Sequence, residues 1–220
     1  MSISAADAAT IRGRAGVVAH GLGIPGRPAA PRRTRLGLDL RLVDESEVID
    51  RHGRTRAVIR WDGVTGELRS VVRLDWSSDA NRPRVDRSAA AAHASRQAGL
   101  AGLVAPQGAP SIDWDEAMDA WRVSWARLLD GYVATGDGLT VWIYRGGQLA
   151  ALKRSETPHA ATPVARVRAS SAVEAARAWA ELQGVAACDL SAVAAQDLAW
   201  VRPNDFLVRG GADDTDVRLH

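Results

Sequence analysis

The stretch from Trp121 to Leu152, WRVSWARLLDGYVATGDGLTVWIYRGGQLAAL, constrains the fold more than any other part of this chain. Trp121, Val123 and Trp125 alternate with Arg122 and Ser124, and Leu139, Val141 and Ile143 alternate with Thr140, Trp142 and Tyr144. A period of two, broken by glycine-marked turns, puts alternate side chains on opposite faces of a β-sheet and demands a buried layer against at least one face. The spacing predicts a three-stranded antiparallel meander over residues 120–152. Its core should hold Trp121, Val123 and Trp125 together with Leu139, Val141 and Ile143. Trp142 and Tyr144 fall on the opposite face and are the candidate binding residues. The alternative for them is burial against a second layer.

The rest of the chain divides around this meander. Residues 1–35 are small, polar and interrupted by Pro25, Pro28 and Pro31. They read as a weakly ordered N-terminal arm with one marginal helix near Ala5. Within it, RPAAPRRTR (Arg27 to Arg35) is basic and proline-rich and reads as a solvated linker. Leu36, Leu38, Leu40 and Leu42 alternate with Gly37, Asp39 and Arg41 and predict a strand. Residues 55–61 and 68–74 flank Asp62-Gly63-Val64-Thr65-Gly66 and predict a hairpin. An alanine-rich helix capped by Asp86 or Ser88 follows, then a loop over residues 100–110. Ser171 and Glu174 form a capping box that starts a second helix over residues 171–183. These elements predict an α+β fold of antiparallel sheet units, each packed on a helix, with a first unit at 36–110 and a second at 111–205. In each unit strands precede the helix, a rough echo that suggests two imperfect repeats. Residues 206–220 read as an acidic tail. Val217 to Leu219 look like half of a strand lacking its partner, so the chain reads as a fragment of a longer one.

Composition narrows the function classes. The 220 residues are 46% hydrophobic and 25% charged, enough for an ordinary core. The net charge is only +2, and Lys153 is the single lysine. Arginines are interspersed with acids instead of forming one basic face, so no nucleic-acid partner is expected. Eight tryptophans stand beside one phenylalanine, which suggests that tryptophan fills core volume here. Cys188 is alone, so it forms no intrachain disulfide. No apolar run approaches the ~20 residues of a membrane span. The start, MSISAADAAT, lacks the pattern of a signal peptide, so the chain as written reads as cytoplasmic.

Motifs that carry chemistry are weak. Gly21-Leu-Gly23-Ile-Pro-Gly26 matches G-x-G-x-x-G, but a dinucleotide site needs a helix beginning at the third glycine. Pro25, Pro28 and Pro31 argue against that helix, and no nucleotide cofactor is expected. His20, His52, His93, His159 and His220 show no i, i+4 pair, and Cys188 has no ligand neighbour in sequence, so no metal is expected. Asp113, Asp115, Glu116 and Asp119 form an acidic cluster. It reads as a solvated helix start capped by Asp113, against an alternative as a cation or acid/base site. There is no nucleophile elbow, and no catalytic residue is assigned.

The run Arg122-Val123-Ser124-Trp125-Ala126-Arg127-Leu128-Leu129-Asp130-Gly131, then Gly136-Asp137-Gly138-Leu139-Thr140-Val141-Trp142-Ile143 and the Arg145-Gly146-Gly147-Gln148-Leu149 turn, leads to Pro163 and the Ser171–Glu174 helix start. This order resembles the propeptide modules of thermolysin-like and fungalysin-like metalloproteases, which include a PepSY domain. The resemblance covers residues 120–182. It implies a PepSY-like, non-catalytic module that restrains or assists a peptidase or an envelope protein, in the cell envelope or outside the cell. Two other readings stay open: a hydrolase or small-ligand-binding domain with a site scattered in sequence, and a structural domain of a cell-envelope protein.

Overall fold

The computed structural model describes residues 3–36, 41–74, 84–129 and 132–156, together with Glu174, Arg177, Ala178, Leu182, Ala199 and Trp200. The chain divides into two compact units, one of Met1–Trp125 with Gly138–Ser155, the other of Ala126–Asp137 with Glu156–His220.

The first unit is an open, largely antiparallel sheet with two helices. Its elements are α1 (Ala5–Gly21), β1 (Arg27–Pro28), β2 (Arg32–Leu36), β3 (Arg41–Ile49), β4 (Thr55–Asp62), β5 (Leu68–Arg73), α2 (Arg87–Leu100), β6 (Ser111–Asp115), β9 (Leu149–Ser155), and the parts up to Trp125 and from Gly138 of β7 (Ala120–Leu129) and β8 (Tyr132–Tyr144). The strand order is β1-β3-β4-β5-β9-β8-β7-β6, with β2 also paired to β3. Antiparallel pairing of β5 with β9 joins the strands on either side of residue 110 into one sheet.

The described residues of 120–152 lie in β7, β8, β9 and the turn before β9, and these strands are successive neighbours. Val123, Trp125, Leu139, Val141 and Ile143 share one core, and Trp121 packs against it half-buried. Trp121 is held by an Nε1 hydrogen bond donated to the Val85 carbonyl at 2.9 Å. Its ring meets that of Trp114 edge-on with centroids 5.1 Å apart. The Arg145 guanidinium caps Trp114 at 4.5 Å.

Both helices pack on this inner face. In α2, Ala90, Ala94 and Ala98 are fully buried at i, i+4 spacing, so small side chains let the helix axis approach the sheet closely. Asp86 caps it by accepting the Ala89 N–H at 2.9 Å. In α1, Ile11, Ala15, Val18 and Ala19 are buried in the same core.

Three expectations change here. The N-terminal arm is not weakly ordered: α1 is a 17-residue helix whose apolar stripe is buried, and packing outweighs the low propensity of Gly13 and Gly16. The basic segment of residues 27–35 is not a solvated linker. It forms β1 and β2, because β3 presents acids in register, Glu45 opposite Arg32 and Asp44 opposite Arg33. Strands do precede a helix, with β4 and β5 before α2, but α2 packs on β6 and β9, and it is α1 that packs on β1 and β3.

The strand expected from the leucine alternation begins at Leu36 in β2 and ends at Leu42 in β3, while residues 37–40 lie outside the described residues. Of the helix expected at 171–183, only Glu174, Arg177, Ala178 and Leu182 are described, and each is helical. The expected tail at 206–220, Cys188, His159 and His220 lie outside the described residues. In the second unit, β10 (Ala199–Trp200) pairs in parallel with β8 at Val133 and Ala134. There Arg127 Nη1 lies 3.7 Å from the buried carboxylate of Asp137.

The hairpin turn between β4 and β5 is built on Asp62. Its Oδ1 accepts the N–H groups of Val64 and Thr65, both at 2.9 Å. Its Oδ2 accepts from Arg69 Nη2 at 2.6 Å. Burial works against this charge, but the Thr65 N–H, Arg69 and the Val64 N–H outweigh it and hold the carboxyl at about 2. The folded value lies below the unfolded one of about 3.9, so the stabilisation is complete above pH ~4 and is lost as pH falls through ~2. Asp62→Asn is therefore expected to cost about 2 kcal/mol near neutrality, with the two proteins converging toward pH ~2. Urea unfolding across that range measures it, and a gap independent of pH would contradict the assignment.

Candidate binding face of the sheet

The outer face of the first unit lies opposite α1 and α2. Register assembles two adjacent rows across it. One is polar: Arg32, Glu45, Arg60, Ser70, Lys153 and Thr140 stand opposite one another across β2, β3, β4, β5, β9 and β8. Ser124 Oγ extends this row by donating to Thr140 Oγ1 at 3.2 Å. The second row, two residues along each strand, is Glu47, Val58, Val72, Ala151 and Trp142. Its four apolar members make a stripe across β4, β5, β9 and β8. At about 4.8 Å per strand spacing the stripe is roughly 14 Å long.

Trp142 ends the stripe. It is half-buried, and its Nε1 donates to Asp115 Oδ2 at 2.9 Å. Asp115 Oδ1 accepts the Met118 N–H at 3.1 Å. The Trp142 N–H and the turn's backbone N–H groups hold the Asp115 carboxyl below its ordinary range, against a smaller opposing effect of burial. The hydrogen bond to Asp115 fixes the orientation of the indole. Tyr144 alternates onto the same face beside the turn and is also half-buried.

The acidic cluster is a correction. Asp113 does not cap a helix, since Ser111–Asp115 is strand β6 and residues 116–119 turn into β7. Outward alternation lets Asp113 reach Arg122 at 3.3 Å and Asp115 reach Trp142. Among the described residues no group of three metal-ligating side chains converges.

The polar row is anchored by Glu45. Its Oε1 accepts Arg32 Nε at 2.7 Å and also pairs with Arg32 Nη2, while Oε2 accepts Arg60 Nε at 2.6 Å. Burial opposes the Glu45 charge, but the two guanidinium groups prevail and hold the carboxyl below its ordinary range.

The glycine motif caps the C-terminal end of α1, where the helix dipole is negative, and so has no phosphate-binding helix start. Gly23 adopts φ +62°, and the Ile24 N–H returns to the Ala19 carbonyl at 2.8 Å. A Cβ on Gly21 would sit 2.5 Å from the Leu100 carbonyl oxygen. These glycines serve a helix cap and close packing.

Alternation in the sequence places Trp142 and Tyr144 on one face. The stripe and the Glu45 network depend on register between strands distant in sequence. The one local hint was the acid-rich run Asp44-Glu45-Ser46-Glu47 next to valines, opposite a basic segment of similar length.

No family model matches the chain, and no curated protein matches it. Among solved structures it is similar to the Bacillus megaterium YpeB C-terminal domain, with a TM-score of 0.49 at 10% sequence identity over 79% of this chain and 74% of that one. Likeness of that degree transfers no residue role, ligand or partner. No described helix is long and apolar enough to cross a membrane.

Proposed function

We propose that this chain is a non-catalytic binding or regulatory module that receives a segment of another protein on the outer sheet face. The observation that carries this reading is the Val58–Val72–Ala151–Trp142 stripe on the face opposite both described helices. A peptide laying one apolar side along the half-buried Val58, Val72 and Trp142 gains hydrophobic burial, Ala151 between them being already buried, and the neighbouring polar row supplies hydrogen-bonding groups at the rim. Trp142 and Tyr144 are the anchors, since rigid aromatic side chains dominate interface energetics. The partner class is a peptidase, on the strength of the resemblance between residues 120–182 and metalloprotease propeptide modules. The same reading takes α1 with β3–β5 and α2 with β7–β9 as two imperfect PepSY-like repeats.

A purified thermolysin-type metalloprotease is the probe. The chain is expected to capture it on a sensor surface, and Trp142→Ser/Tyr144→Ser is expected to abolish capture while the circular-dichroism spectrum stays folded. No capture by the parent chain would remove the peptidase as partner class. Undiminished capture by the folded double variant would remove this face as the interface. Unfolding of the double variant would show that both aromatics are structural.

A further inference from the structure

At the edge of the sheet away from the Trp142 end of the stripe, an open cleft of about 700 Å³ lies between the segment entering β1 and the β3–β4 turn. Arg27, Arg51, Arg56, Asp50 and His52 supply its polar lining, and Pro25 and Ile49 its apolar part. The only carboxylate in this lining is fully engaged. Asp50 Oδ1 accepts the N–H groups of His52 at 2.8 Å and Arg54 at 3.0 Å, and Oδ2 accepts from Arg56 Nε at 2.8 Å. The Arg54 N–H, then Arg56 and the His52 N–H, outweigh burial and hold this carboxyl at about 2. Asp50 therefore stays ionised at neutral pH, shapes the turn and neutralises Arg56.

Arg27 and Arg51 remain uncompensated. Both are exposed. Neither pairs with a carboxylate among the described residues, and the recorded partner of Arg51 is the uncharged His52 Nε2, to which its Nε donates at 3.0 Å. Along β2 to β5, by contrast, Arg32, Arg33, Arg60 and Arg69 all meet acids. The cleft wall at Gly26 is bare backbone by necessity. Its φ is +134°, and a Cβ there would lie 2.6 Å from the Ile49 carbonyl oxygen. No side chain at that position can fill the space.

We propose that this cleft binds a phosphomonoester through Arg27 and Arg51. The two exposed guanidinium groups match the charge of a phosphate dianion, and the terminal nitrogens of each can take a different oxygen, with Arg51 keeping its Nε bond to His52. Pro25 and Ile49 offer apolar contact to the group the phosphate carries, and the volume suits a ligand of small-molecule size. The proposal does not rest on the peptidase reading.

Phenyl phosphate is the probe, with phenol as the neutral control, titrated into the full chain at ~150 mM salt and followed by amide NMR shifts. Saturable shifts of Gly26, Arg27, Arg51 and His52 are expected with phenyl phosphate and not with phenol. Arg27→Gln and Arg51→Gln should each weaken binding about tenfold, as loss of a charge-assisted bond implies. Arg12→Gln, on the exposed side of α1, should leave binding unchanged. Thermal midpoints without ligand should match for all variants, because these side chains are exposed. Absence of saturable shifts, or a less than threefold change in the Arg27→Gln/Arg51→Gln double variant, overturns the proposal. Flotation with phosphatidic-acid vesicles distinguishes the source of the phosphate. Vesicle capture competed by phenyl phosphate assigns a lipid headgroup, and no capture assigns a soluble monoester.

Discussion

Replacing Trp61 by alanine is expected to lower the unfolding free energy by about 3–5 kcal/mol, the range for removing a buried aromatic side chain and leaving a cavity. Trp61 is 1% exposed and is the largest of the fully buried side chains among the described residues. It lies on the inner face of β4, in the same core as Ile59, Val71 and the α1 residues Ala15 and Val18. The Arg14 guanidinium sits 5.8 Å from its ring centroid and also donates to the Gly66 carbonyl, so the indole links α1 to the β4–β5 turn. Little can collapse into the space, because the neighbours are a sheet backbone and a helix already packed through Ile11, Ala15, Val18 and Ala19. Trp61→Phe keeps most of the volume and should cost much less. Equilibrium denaturation with a folded-state probe on α1 tests the point. A cost for Trp61→Ala below about 1 kcal/mol would mean that α1 is not seated on this side chain.

Glu45→Ala is expected to cost about 3 kcal/mol, since it leaves two guanidinium groups without their shared anion. The Glu45 side chain is 3% exposed, whereas those of Arg32 and Arg60 are 68% and 32% exposed. The two cations can therefore turn partly to water, which keeps the cost at the lower end for a broken buried pair. The loss should fall on the β2–β3–β4 region, where hydrogen exchange would accelerate first. A Glu45→Leu/Arg60→Leu double variant should recover much of the stability, because a buried ion pair contributes little net energy over a packed apolar pair. If Glu45→Ala unfolds at the same denaturant concentration as the parent chain, the carboxylate is not the organising group of this row.

Much of the strand content was legible from local pattern. Alternation around Val123, Val141 and Ile143 places β7 and β8 with the correct inward face, because side-chain direction in a strand depends only on parity. The hairpin at Asp62 and the cap at Asp86 are likewise local, since each satisfies backbone N–H groups within a few residues of itself. Trp142 and Tyr144 share a face for the same reason of parity. The acid cluster misled because Asp113 and Asp115 suit a helix start as well as an outward strand face, and only pairing with Arg122 and Trp142 separates the two.

What the sequence by itself determined is the local conformation wherever a period of two or a capping side chain acts within one segment. What only the tertiary structure decided is every feature that joins distant segments. Gly13 and Gly16 weaken α1 as an isolated helix, and burial of Ile11, Ala15, Val18 and Ala19 on the sheet stabilises it. Arg32 and Arg33 look like a solvated basic run until β3 places Glu45 and Asp44 opposite them. The apolar stripe unites Val58, Val72, Ala151 and Trp142, residues up to 93 positions apart in the chain. The cleft likewise depends on β1 and β3 meeting at Arg27 and Ile49. The physical reason is common to all four. Register and docking are set by long-range burial and charge pairing, whose energies appear only when the partners are brought together.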